Sequence, residues 1–524
     1  MTDQSTPSFP APFDRHLRAW VNAICAAVAI LCFGLFTAHA VDLAGYPWDW
    51  DPGEWGSIDA AHRLLEAPAT LYPQNKVIPI PQTYGPTLAV LLMPIARLCN
   101  SPFLAARLLM LAIAFAVALA AYLLVRKRAS RAVACLSSAL ILAPFNQSFW
   151  YVLVRVDAVM IALWLWSAVL ALPPVLRRGA DLLSWRRAGL AGALLALAAL
   201  TKATAVVLAA ALIAGWLLVS LRSAWRLAIS TFVVAGLLVL LLQVLTRGGF
   251  VTTVLLQRFL PYQIGQIPTL LAEAFQFNWE SLALFGIALG MCVRRRDGSW
   301  RDGAWVLWVA GPAMLLFLGK IGAVFNYLLP FFAGQAILLG RLLGGVDTPP
   351  AVATRARWIA LRDLVLAATV ASIALSHPFP SPDPQDRLTS QTFFRFVKTR
   401  GSPILAAQPE CAYGEVKQAV EAEHTDFMAY LRAGLPGTGE VVGKVRTRSY
   451  HLLIGNQTDM RFEGAPYRKV GFCDLRFYYG LERVILFVPV DDLQGGDFAI
   501  APGSRCRALP ASPVVGSDLA SPAH

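Results

Sequence analysis

At 524 residues, 57% hydrophobic and only 15% charged, with a mean hydropathy of +0.56, the chain is too apolar for an ordinary soluble protein, in which about a quarter of residues are charged. Its net charge of +13 is not gathered into one basic face. It is split into short clusters between apolar runs (Arg126-Lys127-Arg128 with Arg131, Arg177-Arg178, Arg186-Arg187, Arg294-Arg295-Arg296), which argues against a nucleic-acid protein and reads as cytoplasmic loops, with contact to anionic lipid as a second use.

In chain order, a polar, proline-rich start up to Arg18 precedes an apolar run at 20–41. No small-residue cleavage site with suitable flanks follows it, so it reads as a retained start-transfer helix. Further apolar runs lie at 103–125, 132–149, 153–176, 188–220, 225–246, 280–293, 304–319, 322–343 and 358–376. Crossing a bilayer takes about 20 residues, so 188–220 is too long for one helix and short for two. Arg186-Arg187 precede it and Arg222 and Arg226 follow it. Both ends therefore belong inside, and the segment must go out and return as two short helices meeting near Leu200-Thr201-Lys202. With that hairpin there are about eleven spans, and every strong basic cluster falls inside. Without it, Arg294–Arg296 and Arg355, Arg357 and Arg362 would land on the wrong side.

Two outer segments are large. The first, 42–102, holds an amphipathic piece at 58–66 and an apolar piece at 87–98 too short to span, expected to be re-entrant or interfacial. The second, 377–524, is polar and rich in proline and glycine, with strand-like patches at 449–454 and 483–490. The expectation is an all-α polytopic membrane protein with a transmembrane core at 1–376 and a small α/β extracytoplasmic domain at 377–524. It would sit in the cell (inner) membrane, with that domain on the periplasmic or extracellular side. Of eight cysteines, Cys25, Cys32, Cys135 and Cys292 fall in apolar runs and read as small buried hydrophobes. Cys99, Cys411, Cys473 and Cys506 fall outside, where disulfides are allowed, and a Cys411–Cys473 bridge is expected.

The densest chemistry lies just past the first run, in Pro47-Trp48-Asp49-Trp50-Asp51-Pro52-Gly53-Glu54-Trp55. Indoles favour the membrane interface, and a carboxylate among them holds its proton more tightly unless a cation compensates. That suits a general base, or a metal ligand. The plainer reading is a solvated loop whose acids balance Arg63 and Lys76. Five charged residues in or beside apolar runs, Arg107, Arg155, Asp157, Lys202 and Lys320, fall on the same outer side by this topology. Intramembrane charges are costly and usually functional; a structural Arg155–Asp157 pair and snorkelling lysines are the alternative. Outer cations near outer acids suit an anionic lipid-phosphate. In the outer stretch 247–280, Arg258, Tyr262, Gln263 and Gln266 are candidates for phosphate or sugar contact, a connecting loop being the other reading.

Taken in order, Asp51-x-x-Glu54, Tyr84-Gly85-Pro86, Ala105-Ala106-Arg107-Leu108, Arg155-x-Asp157, Leu200-Thr201-Lys202-Ala203-Thr204, Gly248-Gly249, Gly319-Lys320-x-Gly322 and Asn326-Tyr327-Leu328-Leu329-Pro330 resemble the polytopic C-type (GT-C) glycosyltransferases. That superfamily includes the protein O-mannosyltransferases and the lipid A aminoarabinose transferases, and the resemblance covers about residues 20–345. One departure is that the mannosyltransferases have adjacent acids, whereas here Asp49, Asp51 and Glu54 are spread out. The resemblance implies transfer of a sugar from a polyprenyl-phosphate donor to an acceptor hydroxyl of a glycan, lipid or protein on the outer face, with inversion. It implies Asp51 as base and Asp49 or Glu54 as its partner. Lys202, Arg155, Arg107 and Lys320 would lie around the phosphate, and Tyr84, Asp157, Arg258, Asn326 and Tyr327 would complete the substrate-binding set. Some relatives use a divalent ion, so Asp51 and Glu54 are also candidate ligands for Mg or Mn. The rival class is a secondary transporter or lipid flippase. The short hairpin at Lys202 favours it; the one-sided placement of the polar residues and the lack of an internal repeat disfavour it.

Overall fold

The structure, a computed structural model, describes residues 12–51, 53–72, 84–99, 102–173, 175–178, 182–256, 262–295, 301–320, 325–344, 352–400, 404–406, 444–456, 467–477, 480–489, 498 and 500–509. Sixteen α-helices and one five-stranded sheet, with a few short 3-10 turns between them, make up the regular structure of these residues. The first is α1 (Pro12–Ala44), followed by α2 (Glu54–Glu66) and α3 (Thr87–Leu98) of the segment 42–102. Next come α4 (Pro102–Arg126), α5 (Arg131–Leu142), α6 (Phe145–Ser148) and α7 (Val156–Ala171). The middle of the chain forms α8 (Trp185–Thr201), α9 (Ala205–Val219), α10 (Leu221–Leu245), α11 (Gly249–Leu256) and α12 (Gln266–Arg295). Last are α13 (Trp305–Leu315), α14 (Leu329–Gly344), α15 (Val352–Ser376) and α16 (Pro384–Arg400).

The chain is an integral membrane protein. Among the described residues five helices are long and apolar enough to cross a bilayer: α1, α4, α10, α14 with the residues just before it, and α15. Each of the other expected runs also coincides with a helix, but a shorter or bent one. The run 132–149 breaks at Pro144, where α5 and the helical stretch from Phe145 to Tyr151 meet at 63°; proline has no N–H to continue the ladder. The run 280–293 is the second half of α12. That helix kinks at Asn278, whose side-chain amide donates to the Ala274 carbonyl at 2.9 Å. The stretch 247–280, expected as a loop, thus carries α11 and the first half of α12. Positive φ at Arg247 and Gly248 turns the chain out of α10 before them.

The hairpin deduced from the arginines is present. Leu183, just before α8, donates its N–H to Ser223 Oγ of α10 at 3.0 Å and accepts at its carbonyl from Arg226 at 2.7 Å. Trp216, near the end of α9, donates its indole N–H to the carbonyl of Ala171, the last residue of α7. The starts of α8 and α10 and the ends of α7 and α9 therefore lie together, and the turn at Lys202 lies at the other end. At the end of the bundle that holds the basic clusters, Asp302 pairs with Arg341 at 2.8 Å and Arg128 at 3.5 Å. α10 turns Phe232, Leu237 and Val244 outward, each more than 60% exposed, as lipid contact requires.

After α15 the chain forms a second hydrophobic cluster of its own. β1 (Ile404–Ala406), β2 (Leu452–Asn456), β3 (Tyr467–Phe477), β4 (Gly480–Pro489) and β5 (Cys506–Ala508) make a sheet of order β1-β2-β4-β3-β5. Only the β1–β2 pairing is parallel. Phe393, Phe396 and Val397 of α16 pack with Leu452, Ile454, Leu475, Val484, Leu486 and Val488 of the sheet. The patches at 449–454 and 483–490 correspond to β2 and β4. β3 was not evident in the sequence, because its outer face is charged and a register shift between Lys469 and Gly471 breaks its alternation. The expected Cys411–Cys473 bridge is corrected: Cys473 of β3 is bonded to Cys506 of β5. The two are directly opposed in the antiparallel register, which brings their Cα atoms to 4.0 Å. Cys411 lies outside the described residues.

Candidate active site

The site is built around a buried arginine. Arg107, in the first turns of α4, has no exposed surface. Its guanidinium donates to the carbonyls of Leu43 (3.0 Å), Tyr46 (2.5 Å) and Trp48 (2.7 Å), and to both oxygens of Glu54 (2.8 and 2.6 Å). All its donors are thus taken within the protein. Glu54 also accepts the N–H groups of Trp50 (2.9 Å), Asp51 (3.4 Å) and Val154 (3.0 Å). The backbone of residues 46–51 lies against this pair, and α2 starts at Glu54. Two expectations are corrected here: Arg107 has no donor left for a phosphate, and Glu54 has no lone pair left for base or partner chemistry. Burial opposes Glu54's charge, but Arg107 and these N–H donors outweigh it and hold the carboxyl below the usual range.

Asp49 and Asp51 sit at the start of α2, where unpaired helix N–H groups favour negative charge. Asp49 Oδ1 accepts from Trp55 N–H at 2.7 Å. Asp51 Oδ1 accepts from Gly53 N–H at 2.9 Å and from Arg155 Nη1 at 2.6 Å. Among the described residues no hydrogen bond reaches Asp51 Oδ2. A Cβ on Gly53 would stand 1.8 Å from Arg155 Nη1, so only glycine leaves room for that guanidinium. Burial pushes the Asp51 carboxyl up, Arg155 pulls it back and Glu54 pushes again, for a net rise. Asp49, buried beside Glu54, is raised much further.

Arg155 immediately precedes α7, and Asp157 lies in its first turn. Asp157 accepts from Lys202 Nζ at 2.7 Å and from Asn326 Nδ2 at 3.1 Å. Lys202 Nζ lies 3.7 Å from the centre of the Tyr327 ring and 6.0 Å from that of Tyr84, within the range of cation–π attraction. Tyr84 is delivered by a tight contact: a Cβ on Gly85 would fall 1.3 Å from the Leu200 carbonyl oxygen. The Tyr84-Gly85-Pro86 turn therefore rests directly on the end of α8.

These contacts join Asp49, Asp51, Glu54, Tyr84, Arg107, Arg155, Asp157, Lys202, Asn326 and Tyr327 from segments far apart in the chain. Lys320 is held by a different contact, a backbone bridge to Tyr262, whose hydroxyl donates to the Leu316 carbonyl at 2.6 Å. Arg258 lies outside the described residues. A metal on Asp51 and Glu54 does not fit: Glu54's oxygens are filled by Arg107 and backbone N–H groups. Among the described residues no three His, Cys, Asp or Glu side chains gather as ligands.

The sequence did not reveal that α16 reaches this segment. Tyr46 Oη and Ser390 Oγ share a hydrogen bond of 2.6 Å, and Trp48 stacks on Phe394 at 5.5 Å, with ring planes 2° apart. The only signal was the cluster of Phe393, Phe394, Phe396 and Val397 in a mostly polar stretch. Asp49 lines a narrow crevice between the two units with Tyr46, Ser390, Phe394, Leu475, Arg476 and Phe477.

The raised Asp49 carboxyl gives a test of this burial. A folded-state value above the unfolded one means its contribution to stability is present at acid pH and lost as pH rises through the folded value. Asparagine mimics the neutral acid and can still accept from Trp55 N–H. Asp49→Asn and the parent protein are therefore expected to melt together at acid pH, with the variant melting several degrees higher at alkaline pH. Thermal unfolding in detergent across that range measures the gap; a gap independent of pH would contradict the burial.

No family model matches the chain, and no curated protein matches it in sequence. Solved structures do match in fold. ArnT from Cupriavidus metallidurans in the apo state has a TM-score of 0.57 at 13% identity, over 90% of this chain and 98% of that one. The same protein bound to undecaprenyl phosphate gives 0.54 at 12%, over 90% and 98%. The archaeal oligosaccharyltransferase AglB from Archaeoglobus fulgidus, in complex with an inhibitory peptide and a dolichol-phosphate, gives 0.52 at 12%, over 88% and 74%. From the order of its helices to the small sheet after them, the chain has the GT-C fold of polytopic membrane glycosyltransferases.

Proposed function

We propose that the chain is a membrane glycosyltransferase that moves a sugar from a polyprenyl-phosphate donor to an acceptor hydroxyl at the outer leaflet, with Asp51 as general base. The observation that carries this is the pairing of Asp51, one oxygen of which has no hydrogen bond among the described residues, with Arg155 at 2.6 Å, beside the Lys202–Asp157 pair. One available base next to two cations is a sufficient set for this chemistry. Asp51 Oδ2 takes the acceptor proton, and the acceptor oxygen attacks the anomeric carbon. The bond from that carbon to the phosphate oxygen breaks, with inversion. The leaving group is a phosphate monoester with a second pKa of about 6, so no acid need protonate it. Lys202 and Arg155 stabilise its charge; Asp157, itself held by Asn326, and the rings of Tyr327 and Tyr84 hold Lys202 in place. Lys320 is kept as an outer phosphate contact on the resemblance alone, and Arg258 on its place in the stretch 247–280 alone. The acids as arranged do not fit a divalent ion, and no step uses one.

Residues 1–376 form the catalytic core in this reading, and 377–524 form the domain on the periplasmic or extracellular side. The Cys473–Cys506 bridge supports that side, since disulfides persist in oxidising compartments. That a fold neighbour was solved with undecaprenyl phosphate and another with a dolichol-phosphate supports the class of donor.

The test is a transfer assay on the full chain in lipid nanodiscs, with polyprenyl-phosphate-linked sugars and envelope glycan, lipid or protein as acceptor. Release of polyprenyl phosphate together with a glycosylated product is expected. Movement of the lipid-linked sugar across sealed vesicles with no transfer would replace this reading with the flippase, which the Lys202 hairpin otherwise favours.

A further inference from the structure

The segment that carries Asp49 and Asp51 is gripped from two sides. On one side Arg107 of α4 holds the carbonyls of Tyr46 and Trp48. On the other stands α16: Phe394 stacks flat on Trp48, Ser390 bonds Tyr46 Oη, and Arg387 reaches Asp42 at 3.2 Å. Phe394 and Ser390 are one helical turn apart, so both project from the same face of α16. That helix is itself fixed at its start. Asp383 and Asp386 cap it reciprocally, each accepting the other's backbone N–H (2.8 and 2.7 Å). Arg505 binds both carboxylates, and its own N–H donates to Thr389 Oγ1 at 3.0 Å. The next residue, Cys506, is tied to β3 by the disulfide. An unbroken series of contacts thus leads from the Cys473–Cys506 bridge through Arg505 and α16 to Trp48, one residue before Asp49.

We infer that the C-terminal unit is a positioning element for the acid segment: Phe394 and Ser390 hold residues 46–51 in the geometry the reaction needs, and the Cys473–Cys506 bridge keeps α16 in place to do so. This rests on the transferase reading for its catalytic consequence, but not for its structural one. Neither residue need touch substrate. Their effect passes through Trp48 and Tyr46, and a misplacement of about 1 Å at a reacting group costs on the order of a hundredfold in rate.

The experiment uses the full chain in nanodiscs and two readouts. Backbone hydrogen exchange is followed over 46–54, where the Trp50 and Asp51 amides are held by Glu54. Transfer kinetics are measured on the same samples. In Phe394→Ala, exchange over 46–54 is expected to rise and kcat to fall about 10- to 100-fold, with KM for the lipid-linked donor little changed. Phe394→Trp, which restores a flat ring, is expected to recover both. Ser390→Ala, a milder change, should shift both readouts the same way if Phe394→Ala fails to fold. The double variant Cys473→Ser with Cys506→Ser should do likewise. Unchanged exchange over 46–54 in Phe394→Ala and Ser390→Ala overturns the inference. So does a loss of activity in Phe394→Ala that the tryptophan does not rescue. If the parent protein transfers no sugar, the transferase reading fails, and the exchange data alone decide whether α16 positions this segment.

Discussion

Asp51→Asn is expected to lower sugar transfer by about 10²- to 10⁴-fold, the range that a positioned general base supplies, while the protein still folds. Asparagine retains the oxygen that accepts Gly53 N–H. Burial raises the native carboxyl's hold on its proton, so a neutral side chain of the same shape is tolerated. Arg155 loses one partner but keeps the field of Asp157, which feels it. On the proposed reading the same rise sets the pH dependence of the parent protein's activity. A base must be ionised to act, so activity should fall as pH drops through a value above the ordinary carboxylate range. Single-turnover transfer in nanodiscs, with melting temperature as the control, measures both. Asp51→Asn activity within about tenfold of the parent would remove Asp51 from the base role.

A second large effect is expected at the buried pair, on stability rather than chemistry. Glu54→Gln leaves a fully enclosed guanidinium without its counter-charge, and Arg107→Met leaves a carboxylate and three carbonyls without their donor. Removing one partner of such a pair costs about 3–5 kcal/mol, a large part of the about 5–15 kcal/mol that separates a folded from an unfolded domain. Each single variant is therefore expected to yield little folded protein. Arg107→Met combined with Glu54→Gln should be less destabilised than the sum of the separate changes, because together they leave no isolated charge. A double-mutant cycle by thermal unfolding tests this. Strict additivity would mean the two side chains do not depend on each other.

These two predictions separate residues that look alike in the sequence. Arg107 and Arg155 both sit near the start of an apolar run. Asp51 and Glu54 are three residues apart in one tract. Hydropathy and charge order were enough to find the runs and the hairpin, and to expect the polar groups together at one end of the bundle, since lipid and the positive-inside rule act on each segment locally. They could not say which arginine reaches which acid. That depends on Arg107 turning back to the carbonyls of 43–48, and on Gly53 being small enough to admit Arg155. The disulfide was missed for a similar reason. Cys506 faces Cys473 only because β5 pairs with the far edge of β3, a register that spacing does not encode. The contact of Phe394 with Trp48 is likewise hidden, joining residues separated by most of the chain.

The ion pair of Arg155 with Asp51 has one further consequence on the proposed reading. As the base takes up the acceptor's proton it becomes neutral and releases its hold on the guanidinium. At that same moment the departing phosphate gains a second negative charge. Arg155 can then change partners, leaving the acid for the new dianion, so no unbalanced charge builds up in a region walled off from water. The resting enzyme would thus carry its own stand-in for the product anion, and a variant lacking that carboxylate should grip polyprenyl phosphate more tightly than the parent does.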